Sequence, residues 1–579
     1  MRKNDSKRTN GNTDKSIFSK TYSQTKVAKA VALVSITSFM LVACTNGPSE
    51  QEHAAEEQKA KQEAIIVQMH DAQLAEREST KKRLRANMQV ASLAMSVAEP
   101  IAPPPIATNR DDFEEFSTSP IKLVQDTPVS TFSSDVDTAS YSFVRRQLNS
   151  GVLPTKQAVR LEEMLNYFDY QYPKPQSASE PFKAFTTVYD SPWAQNRKLV
   201  HIGIQGYSLA QDTLPDSNLV FLLDVSGSMN APDKLPLVKK SMAMLLEQLK
   251  PTDTVSIVVY AGAAGTVLAP TKAKDKVEIL AAMDKLSAGG STAGAQGIEL
   301  AYQLAEQNFK ASAVNRIILA TDGDFNVGLS DRDQLQDYVE RKREKGIFLS
   351  VLGFGQGNYQ DHLMQSLAQN GNGIAAYIDT LSEAQKVLVH EATSSLFPIA
   401  NDLKIQVEFN PNVVKEYRLL GYETRALERE DFNNDKVDAG DIGSGHSITA
   451  IYEVTLVGSN GSFIDDLRYS QSTPESTSSL QNELAFLKMR YKLPGQSASV
   501  LREQAIMQNT EIDNILLREV KFAGAVAGFA QLLKDAKYTG EWTMDDALSL
   551  ALANRGEDNY GYRSEFVQLI RKAQLAEEL

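Results

Sequence analysis

Cysteine is almost absent from this chain: Cys44 is the single thiol in 579 residues. Disulfides within the chain and thiolate metal sites are thereby excluded. Histidine is scarce, with six residues, and none belongs to a serine-hydrolase pattern such as G-x-S-x-G. Basic residues are outnumbered, 60 Lys and Arg against 73 Asp and Glu, for a formal charge of −13. Nucleic acid as a partner is excluded on that ground, because its polyanionic backbone calls for a basic footprint. No apolar stretch reaches the roughly 20 residues of a membrane-spanning helix. The 42% of residues that are hydrophobic suffice for ordinary cores, and the length allows three or four domains.

The beginning of the chain reads as a targeting segment. Lys26 and Lys29 precede the apolar run Ala30 to Ala43, which suits a signal-peptide core. It ends Leu41-Val42-Ala43-Cys44, which resembles the bacterial lipobox. The resemblance implies cleavage before Cys44, diacylglycerol on its sulfur and a membrane-anchored protein of the cell envelope. Thr45 stands where an inner-membrane retention signal would place Asp, so in a Gram-negative host the expected location is the periplasmic face of the outer membrane. Residues 1–43 are thus a lipoprotein signal and 44–112 a linker: Ser49 to Met95 is rich in Ala, Glu, Gln and Lys without a sustained heptad, and Pro100, Pro103, Pro104 and Pro105 stiffen its end.

Residues 113–215 form an N-terminal region. Helices are predicted over Thr138 to Asn149 and Lys156 to Phe168, and the β-rich stretch Lys183 to Tyr207 is expected to pack onto the domain that follows. Asp135, Asp137 and Glu163 are read as helix caps and a solvated helix face rather than as a second cation site.

From 216 to 398, strand and helix signals alternate throughout, the pattern of a doubly wound, mostly parallel α/β sheet with one antiparallel edge near Thr266 to Leu268. Leu219 to Leu223 run apolar without alternation, as a strand buried on both faces must. Asp224, Ser226 and Ser228 follow at the carboxyl end, where ligands bind in such sheets. One carboxylate and two hydroxyls on a tight loop are hard oxygen donors of the kind Mg2+ accepts. Ala288 to Gly294 is a glycine-rich turn carrying Thr292, and Asn315 to Asp324 is a second buried strand ending in Asp322 and Gly323.

Together these three pieces resemble the metal-ion-dependent adhesion site of the von Willebrand factor type A domain: Asp-x-Ser-x-Ser, a distal Thr and a distal Asp-Gly, with all five positions filled. The resemblance implies that Ser226, Ser228 and Thr292 ligate one Mg2+ or Mn2+ ion directly or nearly so. Asp224 and Asp322 then hold it directly or through water, and a protein partner's Asp or Glu completes the shell. The stretches Ser134-Asp-Val-Asp-Thr138 and Arg160-Leu-Glu-Glu-Met-Leu-Asn-Tyr-Phe168, with the order of parts, make the chain similar to bacterial von Willebrand type A lipoproteins of the YfbK type.

After Pro398 the periodicity becomes two. Leu403, Ile405, Val407 and Phe409 alternate with polar residues, and Ser447 to Val457 and Leu484 to Lys492 behave similarly, predicting half-exposed antiparallel strands. Helices are predicted over Asp513 to Lys534, Trp542 to Asn554 and Gly561 to Glu577, so 399–579 is a β-rich then helical domain. Asp431 to Asp441 lacks the Gly and Glu of a calcium loop and is read as an acidic surface loop. His390-Glu391 lacks the second His of a zinc-protease helix. Asp224 as a phosphoryl-accepting nucleophile would call for Asp where Ser226 stands.

The expected role is therefore a non-enzymatic, metal-dependent binding module. The alternative is an envelope protein whose metal only stabilises the site loops. Cys44→Ser is predicted to stay uncleaved or to leave the membrane fraction. Labelling with fatty acid in the bacterial host checks it, and an unlabelled wild-type protein would refute the anchor.

Overall fold

The computed structural model describes residues 111, 113, 115–290, 294–323, 332–356, 360–465, 480 and 482–578. The signal and linker segments, Cys44 and Thr292 lie outside them.

Six strands make the central sheet. Their spatial order is Ala375–Ile378, Ile347–Phe354, Val314–Thr321, Ser217–Asp224, Thr254–Tyr260 and Ala264–Lys272. All neighbours are parallel except the last pair, so the antiparallel edge is as the sequence suggested, though longer. Every residue of Ser217–Asp224 and Val314–Thr321 is buried, as their uninterrupted apolar runs require. Helices Leu235–Gln248 and Lys276–Asp284 cover one face, and Gly294–Gln307, Arg332–Arg343 and Asp361–Asn370 the other.

The last helical stretch of the central domain is broken. Leu381–Gln385 and Ala392–Leu396 flank a π-helical turn, Lys386–His390. The widened turn lets buried Lys386 meet Glu391 and the Tyr167 ring, 4.4 Å from its centroid, while His390 Nδ1 lies 2.8 Å from the Tyr562 hydroxyl. The broken helix thus serves contacts to the flanking modules.

Residues before and after the central domain share two further sheets. Phe182–Asp190 and Lys198–Gly206 do not extend the central sheet. Lys198–Gly206 pairs antiparallel with Ser447–Leu456, which pairs with Val414–Leu420. A second antiparallel sheet contains Pro398–Phe409, Glu483–Lys492 and Ser499–Met507, and Val129–Ser133 joins it through Pro398–Phe409. The two sheets pack face to face around Ile202, Tyr452, Ile405 and Leu487. The outer face of the first is not half-exposed. Leu199, Leu420 and Ile451 point into a second core formed with helices Leu161–Asn166, Asn514–Lys534, Met544–Asn554 and Tyr562–Glu578. Two of the three C-terminal helix starts carry side-chain caps, Asp513 on the Leu516 amide and Thr543 on the Asp546 amide.

Buried ion pairs tie the N-terminal helices to the central domain. Arg160 donates to Asp361 at 2.6 and 3.0 Å and to Glu163, which also accepts from Gln365 at 2.8 Å. Glu163 is fully buried, and Asp135 and Asp137 both accept from Arg425. The solvated helix face expected for these carboxylates is therefore corrected: they neutralise arginines brought in by the fold. Removing one partner of a buried pair strands the other charge, so Arg160→Ala is predicted to cost about 3–5 kcal/mol. Lys198→Ala, which loses only an exposed pair with Asp190, should cost less than about 1 kcal/mol. Urea denaturation monitored by circular dichroism compares the two.

Candidate metal site

The site is built at the carboxyl ends of two adjacent central strands. Asp224 ends one strand and is 0% exposed; Asp322 follows the other and is 2% exposed. The loop after Asp224 is fastened at both ends. The Ser226 amide donates to Asp224 Oδ1 at 2.8 Å, and Met229, fully buried, anchors the short 3-10 turn Gly227–Asn230 in the core. Ser226 and Ser228 bring their hydroxyls within 3.0 Å of each other, Ser226 buried and Ser228 exposed.

The described start of the glycine-rich turn docks on this loop through backbone hydrogen bonds. The Gly289 amide donates to the Val225 carbonyl at 2.8 Å and the Gly227 amide to the Gly290 carbonyl at 3.0 Å. Gly290 adopts φ +88° with the Gly262 amide 3.1 Å from where a Cβ would sit, so a side chain there would be strained. The turn thus starts beside Ser226 and leads toward Thr292. Thr321 closes the other side, its hydroxyl 3.3 Å from Asp224 Oδ2.

Electrostatics define what this arrangement can hold. Burial pushes the Asp224 carboxyl up to about 6, the hydrogen bonds from Ser226 oppose the rise, and the charge of Asp322 adds to it. Two carboxylates in a poorly hydrated place repel each other and attract a cation. One cation of the chain already answers: Lys234 Nζ donates to Asp322 Oδ2 at 2.8 Å, with both side chains largely buried. The lysine is held against Gly355, where a Cβ would meet Lys234 Cε at 2.3 Å. This contact is absent from the expectations drawn from the sequence. An isolated Lys four residues after an exposed Asn carries no signal of its own; only its return to a strand end in another part of the chain reveals it.

The oxygen donors fit a small hard dication. Asp224, Ser226, Ser228 and Asp322 supply carboxylates and hydroxyls from one crevice, and the ammonium on Asp322 stands in for positive charge. The structure brings these four predicted residues to one end of the sheet. Because Lys234 competes for Asp322, Lys234→Met is predicted to tighten Mn2+ binding at least about tenfold. One charge ~4 Å away is worth about 4 kcal/mol at an effective dielectric of 20. The same variant should lose stability in chelator, where Asp322 loses its buried ion pair with the lysine. Calorimetric titration and denaturation with EDTA measure both effects, and unchanged or weaker metal binding would refute the competition.

Known proteins place these features in context. Residues 218–390 match the family model of the von Willebrand factor type A domain, 107–201 one described as von Willebrand factor, and 394–575 one described as the C-terminal part of uncharacterized protein YfbK. The uncharacterized protein YfbK of Escherichia coli (strain K12) is 42% identical over 515 residues, which is 88% of each chain. Inter-alpha-trypsin inhibitor heavy chain H3 of Mesocricetus auratus is 26% identical over 296 residues, 47% of this chain and 33% of that one. Among solved structures, a von Willebrand factor type A protein from Catenulispora acidiphila is 14% identical, covers 70% of this chain and 91% of its own, and has a TM-score of 0.40.

Proposed function

Since the chain belongs to the YfbK family of von Willebrand factor type A proteins, we propose that it is an envelope-anchored binding module that captures a partner protein through a divalent metal ion. The observation carrying this reading is the convergence of Asp224, Ser226, Ser228 and Asp322 on one partly exposed crevice. Those residues, with Thr292, are the proposed holders of one Mg2+ or Mn2+ ion. Cys44 is the proposed lipid anchor, with the outer membrane's periplasmic face as the proposed location.

The role of the partner follows from charge and coordination number. Mg2+ takes six oxygens near ~2.0–2.1 Å. Hydroxyls bring no charge, and Asp322 is shared with Lys234. A dication held this way stays electrophilic, so an entering Asp or Glu carboxylate completes its shell and gains from the low local dielectric. Loop stabilisation alone is a weaker role for the ion. The loops are also joined by the backbone bonds from Gly289 and Gly227, so an ion would not be their sole tie. No catalytic step is assigned: Ser226 occupies the place where a phosphoryl-transfer site of the Asp224 type carries its acid.

One experiment joins these statements. Envelope protein retained on the immobilised chain in Mn2+ is eluted with EDTA, purified and rebound. Rebinding should require Mg2+ or Mn2+, should be poor in Ca2+, which prefers more ligands at longer distances, and should fail with Asp224→Ala or Asp322→Ala. Thr292→Ala should lose the partner even where metal is still bound by calorimetry. One Asp or Glu of the partner should prove indispensable. Equal binding in chelator would make the ion structural and move the binding surface elsewhere.

A further inference from the structure

Arg316 poses a charge problem that the metal site does not explain. It is the third residue of Val314–Thr321, at the end of the strand away from Asp322, and it is 3% exposed. An arginine buried in a sheet interior is normally paired, because an isolated charge out of water is costly by several kcal/mol. The other deeply buried arginines obey this rule. Arg145, Arg146, Arg160, Arg197, Arg418 and Arg563 each lie within 3.6 Å of a carboxylate oxygen.

Arg316 has no carboxylate within 4.0 Å among the described residues. Its Nη1 donates to the Ser350 hydroxyl at 2.6 Å, and its Nε is buried without any hydrogen-bond partner. The Phe348 ring, 5.5 Å away, offers a weak cation–π contact.

Arg316 lines a partly open cavity of about 280 Å3 between the N-terminal segment, the central domain and the β-rich module. That space exceeds what one bridging water fills, since a water occupies about 30 Å3 in the liquid. Most charges around it are already matched: Asp135 and Asp137 with Arg425, and Asp438 with Arg343. Asp441 also lines the cavity, and among the described residues it meets only Asn401 Nδ2 at 2.6 Å and the Asp402 amide at 3.1 Å. One cation and one carboxyl thus line the same partly open cavity, too far apart to pair directly. Burial disfavours the charge on each, pushing Arg316 down to about 10 and Asp441 up to about 7.

We propose that this cavity binds a zwitterion of amino-acid or dipeptide size, its carboxylate on the Arg316 guanidinium and its ammonium toward Asp441. A planar carboxylate matches the donor fork of arginine. A dianion such as phosphate is disfavoured by the four carboxylates that share the walls. The ligand supplies the counter-charge that Arg316 lacks and the cationic donor that Asp441 lacks among the described residues. The site lies at the opposite end of the strand from the metal crevice and is independent of it.

The test uses the full mature chain and a panel of free amino acids and dipeptides, screened by thermal shift and quantified by calorimetry. At least one member should bind with one-to-one stoichiometry. Its N-acetylated and its carboxamide derivatives should each bind at least about tenfold more weakly, because each loses one charge-assisted hydrogen bond. Arg316→Gln and the isosteric Asp441→Asn should weaken binding by a similar factor while leaving the Mn2+ isotherm unchanged. Should Arg316→Gln not fold, Asp441→Asn and the blocked ligands decide the matter. Binding by no panel member, binding that survives either substitution, or equal binding of blocked ligands would each overturn the proposal and leave a water-filled structural cavity.

Discussion

The desolvation of two carboxylates at the ends of neighbouring parallel strands governs how the crevice is built. Asp224 and Asp322 sit where the sheet stops and water is scarce, and their mutual repulsion would destabilise the loops without compensation. Part of the compensation is local: the Ser226 amide and the Thr321 hydroxyl turn toward Asp224. The rest comes from Lys234, brought back to Asp322 by the helix it precedes. One ammonium does not neutralise two acids. The remaining deficit of positive charge is what the proposed dication would fill.

The crevice is presented by a body larger than the central domain. Arg145 reaches Asp379 and Glu383, and Arg160 reaches Asp361, so the N-terminal helices are fixed to the central sheet by charges that have left water. Arg146 continues this contact to the site itself. Its Nη1 meets the Tyr377 hydroxyl at 2.5 Å and the Gly355 carbonyl at 3.3 Å, and Gly355 is the residue against which Lys234 packs. A contiguous path of packed groups therefore runs from the N-terminal helix to Asp322. Breaking such pairs singly is expensive, which favours a rigid presentation of the exposed Ser228 hydroxyl.

Much of the central domain was legible because its strands are buried on both faces. Leu219 to Leu223 and Ile317 to Ala320 need no partner to be recognised as strands, and the carboxylates at their ends mark the candidate site. Capped helices such as Met544–Asn554 were legible for a local reason too, Thr543 with Asp546. What escaped was non-local. The pairing of Lys198–Gly206 with Ser447–Leu456 joins segments far apart in the chain, and nothing in the period of either names its partner. Period-two alternation suggested one wet face, but here alternate residues enter two different cores. The π turn at Lys386–His390 and the ion pair Lys234–Asp322 likewise arise from tertiary neighbours, as does the isolation of Arg316.

The charge deficit at the strand ends can be seen directly in a crystal grown with Mn2+ and measured at a wavelength where manganese scatters anomalously. A single anomalous peak should lie within coordination distance of Ser226, Ser228 and Thr292 oxygens, close to both Asp224 and Asp322, with Lys234 Nζ displaced from Asp322 Oδ2. An empty crevice at millimolar Mn2+, with the lysine still bonded to Asp322, would contradict the assignment and leave Lys234 as the permanent counter-ion of the site.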